Sequence, residues 1–174
     1  VTDFSELMVS SFSADAKTQW PTEVGHFTPW VISNLGRLGE QLGLNLTFMG
    51  REVPVGDFRA DVIACDDRGR RVVIENQFGP TDHGHFGQIV VYACAADADV
   101  IVWVAAGSKS WCGPSFRAEH VTALTVLNSR FKGVTEFYGV EVSLESDPVR
   151  LGEMAGPLLP RMRIVAQPEL RNED

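Results

Sequence analysis

Cysteine is scarce in this chain. The three residues present, Cys65, Cys94 and Cys112, are far apart and odd in number. They offer neither the paired spacing of a zinc site nor a disulfide framework, which fits the reducing cytoplasm. No apolar run approaches the roughly 20 residues that span a bilayer, so no membrane association is expected. The opening Val1-Thr2-Asp3-Phe4-Ser5-Glu6 lacks the basic and apolar regions of a signal peptide. Basic residues are in deficit too: the net charge is −8, against the usual footprint of a nucleic-acid binder. No Gly-x-Ser-x-Gly elbow occurs, and Cys112 has no evident histidine partner, so nucleophilic hydrolase chemistry finds no support. The absence of a Gly-x-x-x-x-Gly-Lys loop argues against nucleotide hydrolysis. There is no internal repeat and no low-complexity tract.

What is present is enough for one domain. At 174 residues the chain is long enough to bury a proper core, and its apolar and charged fractions are those of an ordinary globular protein. The arginines are unevenly placed, with Arg68, Arg70 and Arg71 in one cluster and Arg161, Arg163 and Arg171 near the C-terminus.

The stretch 55–77 carries the most information. It reads as two short apolar strands joined by the charged turn Asp66-Asp67-Arg68-Gly69-Arg70. Asp61 and Glu75 sit inside the apolar runs, where an unpaired buried charge is costly, so a positive partner is expected. Side chains alternate along a strand, so Glu75 and Gln77 share a face and Asn76 takes the other. A hairpin closing near Gly69 puts Asp61 roughly opposite Glu75 to Gln77. A hard divalent cation is the first candidate partner, because Mg²⁺ is often held by one or two carboxylates, water and phosphate oxygens. Two solvated acids on a half-exposed ribbon are the competing reading.

Around this stretch the sequence reads as a short, poorly periodic helical segment near 3–9. A second helix is capped by Thr28 with Pro29 in its first turn, its apolar face marked by Trp30, Ile32, Leu35, Leu38 and Leu42, and it ends at Gly43. Strands follow at 44–51, 55–65 and 72–77. A helix from Asp82 or His83 to about 96 comes next, then a fully apolar strand at 100–105 of the type found in mid-sheet. Residues 107–114 read as a loop, 117–128 as a helix and 137–144 as a strand. The tail from 146 to 174 reads as an irregular extension to a domain spanning 1–145, with an edge strand at 162–166. A helix crossing between the third and fourth strands makes those two parallel in a mixed sheet.

Several of these residues together resemble the PD-(D/E)XK nuclease superfamily, in a variant whose third motif reads Glu-x-Gln. The matching parts are Glu23 ahead of a helix, Asp61, Glu75-Asn76-Gln77, and Gln88 with Tyr92, which is similar to the Gln-x-x-x-Tyr motif of the exonuclease-like branch. Phe27-Thr28-Pro29-Trp30, Thr81-Asp82-His83, His85-Phe86-Gly87-Gln88 and Phe116-Arg117-Ala118-Glu119-His120 further resemble a group of bacterial nuclease-like proteins. The likeness covers roughly residues 23–145. It implies a restriction-endonuclease-like α/β core in the order α-β-β-β-α-β, with a mixed central β-sheet flanked by helices. It also implies a nuclease hydrolysing phosphodiester bonds of DNA with Mg²⁺ or Mn²⁺.

On that resemblance, Asp61 and Glu75 hold the metal, the backbone carbonyl of Asn76 adds an oxygen, and Glu23 reaches the same ion or a second position. Capping the segment after it is an equally good reading of Glu23. Gln77 stands where the family has lysine. A neutral amide can only orient the attacking water by hydrogen bonds, so a catalytically degenerate module that binds nucleic acid or a protein partner is the main rival. A small interaction domain within a defence or repair assembly is a third reading. Gln88 and Tyr92 are four apart and share a helical face, turned to substrate or Gln77 on the resemblance, or else a solvent residue and a core aromatic. A homodimer is a further candidate assembly.

The histidines lack the four-residue spacing of a helical metal pair. His83 and His85 suit a capping or phosphate-contacting role at a helix start. His26 reads as structural and His120 as a surface or core residue. Of the tryptophans, Trp103 reads as core, and Trp111, in its loop, as a candidate for stacking on a base.

Overall fold

Runs rich in valine and isoleucine set the centre of the molecule. The computed structural model of the chain describes residues 8–9, 13–107, 114–146, 149–150 and 156–169. Two two-residue strands, β1 (Met8–Val9) and β2 (Ser13–Ala14), precede the short helix α1 (Ala16–Gln19). A π-helical turn at Glu23–Phe27 leads directly into α2 (Thr28–Ser33) and α3 (Leu35–Leu42). Then come β3 (Thr47–Val55), β4 (Phe58–Cys65), β5 (Arg71–Phe78), α4 (His83–Ala95) and β6 (Val100–Ala106). The chain continues through α5 (Ala118–Arg130), β7 (Glu136–Glu145), β8 (Val149–Arg150) and β9 (Leu159–Ala166).

The long strands form one mixed sheet in the order β9-β7-β6-β5-β4-β3. Strands β5, β6 and β7 run parallel, whereas β3, β4 and β9 join antiparallel. Every residue of β6 is buried, as expected of a strand with neighbours on both edges and helices over both faces. Alternation splits the interior in two. One core packs Phe27, Val31, Leu35, Leu38 and Leu42 of the N-terminal helices against Val62, Ile74 and Val102. The other packs Ile89 and Tyr92 of α4 and Leu124 of α5 against Ile63, Val73, Ile101 and Trp103. The order helix, three strands, helix, strand expected of the nuclease-like core is present, with β5 and β6 parallel across α4. Among the described residues no helix is long and apolar enough to cross a membrane.

Several local expectations need correction. Met8 and Val9 are a strand paired with β8, not helix, while the rest of 3–9 lies outside the described residues except Met8 and Val9 themselves. Thr28 does not cap a helix. The π-helical turn runs straight into α2, and the Thr28 hydroxyl accepts a hydrogen bond from Asn76 Nδ2 instead. The helix expected up to Gly43 breaks at Asn34 (φ −112°) into α2 and α3, and Gly43 ends the second piece at φ 67°. The edge strand expected at 162–166 is present and longer: β9 covers Leu159–Ala166 and lies antiparallel to β7 at the edge of the same sheet.

Candidate functional site

The two central acids are set by strand register. The β4–β5 ladder pairs Cys65 with Arg71 through Val62 with Ile74, and the same register puts Asp61 opposite Glu75. Beyond that last pair the ladder gives way to a side chain: the Asn76 backbone N–H donates to Asp61 Oδ2 at 2.7 Å. That bond orients the Asp61 carboxylate. Glu75 is only 4 % exposed, and its Oε2 is buried with no hydrogen-bond partner. Glu23 comes from the π-helical turn, a form of helix often found at functional positions. Its Oε2 accepts from the Phe78 N–H at 2.7 Å, which carries the acid to the same end of β5.

This grouping is electrostatically unfavourable as it stands. Burial, then the charges of Asp61 and Glu23, push the Glu75 carboxyl up to about 9. Burial also pushes Asp61 up, to about 6, against the lowering effect of the Asn76 N–H, with Glu23 and Glu52 adding to the rise. Glu23 is raised as well, chiefly by burial. Carboxylates this crowded call for a proton or a cation between them.

A fourth acid, Glu52, was not read from the sequence. The β3–β4 ladder pairs Arg51 with Val62 and Val53 with Ala60, so Glu52 lies opposite Asp61 in a row with Glu75 across three strands. Its backbone is left-handed (φ 52°), an uncommon state for a non-glycine residue within a strand. The signal was available: counting back from the tight Gly56-Asp57 turn, whose flanking Val55 and Phe58 are paired, gives this register directly.

Gln77 shares the Glu75 face, as alternation requires, and is held on three sides. Its Nε2 donates to the Pro80 carbonyl (3.0 Å) and to Asp82 Oδ2 (2.8 Å), and its Oε1 accepts from the Trp103 indole (3.2 Å). Trp103, a core residue as expected, therefore orders Gln77, a role the resemblance had offered to Gln88 and Tyr92. Tyr92 is fully buried, and its hydroxyl donates to the Arg59 carbonyl at 2.9 Å. Burial and the charges of Glu75, Asp61 and Glu52 hold its phenol well above the ordinary value, so the hydroxyl that α4 brings toward the acids is neutral. Gln88, one turn earlier on α4, is half-buried.

Asp82, not His83 or His85, caps α4. Its Oδ1 accepts the His85 N–H at 2.9 Å, and its carboxylate also faces His85 Nδ1 at 3.0 Å. Burial raises Asp82, but the hydrogen bonds from His85 outweigh it and leave the carboxyl below its ordinary value. His83 Nδ1 instead lies 2.9 Å from His120 Nε2, and His120 Nδ1 lies 2.7 Å from the Thr81 hydroxyl. His120 is a core residue, and His26 bonds locally to Thr22. Trp111 and Cys112 lie outside the described residues.

The donor chemistry fits a hard divalent cation. Two carboxylates with water and phosphate oxygens are a usual Mg²⁺ complement, and the unpartnered Glu75 Oε2 is a free oxygen donor. Among the described residues no three His, Cys, Asp or Glu side chains are already grouped to hold an ion. The protein's side-chain contribution would therefore be the Asp61–Glu75 pair, with Glu23 and Glu52 adding charge.

No family model and no curated protein matches this chain. Among solved structures it is similar to a repair endonuclease from Pyrococcus abyssi, at 19% identity and a TM-score of 0.43 over 63% of this chain and 45% of that one. It is similar to EndoMS in complex with double-stranded DNA, at 15% identity and a TM-score of 0.45 over 81% of this chain and 49% of that one. It is also similar to SfsA of Pyrococcus furiosus in complex with Ca²⁺, at 14% identity and a TM-score of 0.43 over 79% of this chain and 59% of that one. The chain thus spans between 45% and 59% of the length of the chains it matches.

Proposed function

We propose that this chain carries a divalent-cation-dependent nuclease centre acting on DNA, with Asp61 and Glu75 as the carboxylate ligands of Mg²⁺ or Mn²⁺. The observation that supports it best is Glu75, a buried acid with an unpartnered oxygen beside a second, half-buried acid. When bound, such an ion polarises the scissile phosphate and acidifies a water molecule. Asp61 is held ready by the Asn76 N–H on Oδ2, leaving Oδ1 for a ligand. The Asn76 carbonyl is the third oxygen in this reading. Glu23, anchored through Oε2, offers Oε1 to the same region. Tyr92 brings a neutral hydroxyl toward the carboxylates, and Gln88 lies on the same face of α4 to meet the substrate.

The test is cleavage of labelled single- and double-stranded DNA with Mg²⁺, Mn²⁺ or EDTA, with Glu75→Ala as control. Metal-dependent cutting lost in the variant supports the reading; cutting that persists in Glu75→Ala refutes the role of Glu75. A second reading, a binding module that does not cut, is favoured by Gln77. Both its amide hydrogens are engaged, by Pro80 and Asp82, so it has none left to donate to an attacking water. Under that reading DNA binds and stays intact with every metal.

A further inference from the structure

The Glu-x-Gln strand leaves the site without the cationic side chain that lysine would supply, and Gln77 is fully donor-bonded. The network around Gln77 nevertheless leads to a group that can donate to a phosphate. Asp82 accepts from Gln77 Nε2 through Oδ2 and from His85 through its backbone N–H and Nδ1. A carboxylate below its ordinary value accepts only, so Nδ1 carries a proton and the ring is fixed with Nε2 turned away from Asp82. His85 Nε2 makes no hydrogen bond among the described residues, and the ring is partly exposed. Asp82 ties the ring to Gln77, which shares the Glu75 face of β5, so His85 stands at the edge of the acid site.

We propose that His85, held through Nδ1 by Asp82, meets a phosphate oxygen of the DNA backbone as the ring protonated on both nitrogens and donates from Nε2, in the role left empty by the missing lysine. Asp82 is then the positioning residue that locks His85 and Gln77 together. This rests on the nuclease reading above for its substrate. Asp82→Asn separates position from fold, because asparagine caps a helix as well as aspartate does but cannot accept from both partners in the same way.

Binding of a labelled duplex DNA to the full chain is measured with Ca²⁺ in place of Mg²⁺, and cleavage with Mg²⁺ alongside. His85→Ala is expected to weaken binding roughly ten- to a hundredfold, the worth of a charged hydrogen bond. His85→Arg is expected to restore most of it. In the DNA complex of the wild type the imidazole ¹⁵N spectrum is expected to show protons on both ring nitrogens, and in Asp82→Asn that signature is expected to be lost, with weaker DNA binding. If the wild type cuts, Glu75→Ala does not, and His85→Ala binds and cuts as the wild type does, the nuclease reading stands and this inference falls. If nothing cuts but His85→Ala loses binding that His85→Arg regains, the nuclease reading falls and the phosphate contact stands. A wild type that neither binds nor cuts overturns both.

Discussion

Replacing Glu75 by glutamine keeps the shape of the side chain and removes its titration. In the folded protein burial and the neighbouring carboxylates hold the Glu75 proton up to about 9, from an ordinary value of 4.5. Between those two values the folded state binds more protons than the unfolded chain, so stability falls as pH rises. Below 4.5 both states hold the proton, and above 9 both have lost it; the dependence vanishes at either end. The limiting slope is about 1.4 kcal/mol per pH unit, so the fall from pH 5 to pH 8 approaches ~4 kcal/mol. Solvent entry around the carboxylate reduces this, and a fall of about 2 kcal/mol, roughly half the limit, is expected. For a chain of this size that is a loss of roughly 4–8 °C in melting temperature. Thermal denaturation of both proteins in EDTA at pH 5 and pH 8 reads the effect, and the difference between them cancels the titrating groups that do not interact with Glu75. Glu75→Gln is expected to melt higher than the wild type at pH 8 and to match it near pH 5. Mg²⁺ at pH 8 is expected to raise the wild type and not the variant. Parallel pH profiles, or a variant less stable at pH 8, would falsify the account of Glu75 as an unpaired buried acid.

Three further substitutions probe the scaffold of the site. Gln77→Lys removes the acceptor of the buried Trp103 indole, and a loss of about 1–3 kcal/mol is expected by chemical denaturation, with the fold retained. Tyr92→Phe deletes the donor to the Arg59 carbonyl at constant ring volume; a cost of about 1 kcal/mol is expected, and a neutral result would show that the hydroxyl is not needed to tie α4 to β4. Thr28→Val leaves Asn76 Nδ2 without its partner while preserving shape, and a fall of about 1–3 kcal/mol in unfolding free energy measures how firmly α2 is pinned to β5.

The legible parts of this molecule were those governed by local periodicity. Asp61 and Glu75 stood out because charges interrupt strands whose apolar partners are close in sequence, and the charged turn between them fixed their register. The β6 strand was legible because seven consecutive apolar residues leave few alternatives. What escaped depends on partners distant in the chain. Thr28 carries a capping signature, but Asn76, 48 residues away, binds its hydroxyl. Gln77 reads as a free amide until Trp103, 26 residues away, comes to rest on it. Glu52 escapes a reading that ends its strand at Arg51, and the π-helical turn and the break at Asn34 have no sequence signal. Asp82 was visible as a helix start, but its hold on both Gln77 and His85 required the end of β5 to fold back toward α4.

The acid row also bears on how the molecule comes together. Glu52, Asp61 and Glu75 all lie on the meander β3–β4–β5, whose neighbouring strands are joined by short turns, so contacts of small sequence separation bring them close. On that meander alone the carboxylates remain in water. Their mutual repulsion becomes severe only when Tyr92 and the rest of α4 cover that face. Alkaline conditions therefore act against the docking of α4 and not against hairpin formation. A change at Glu75 is accordingly felt mainly in how fast the finished protein unfolds.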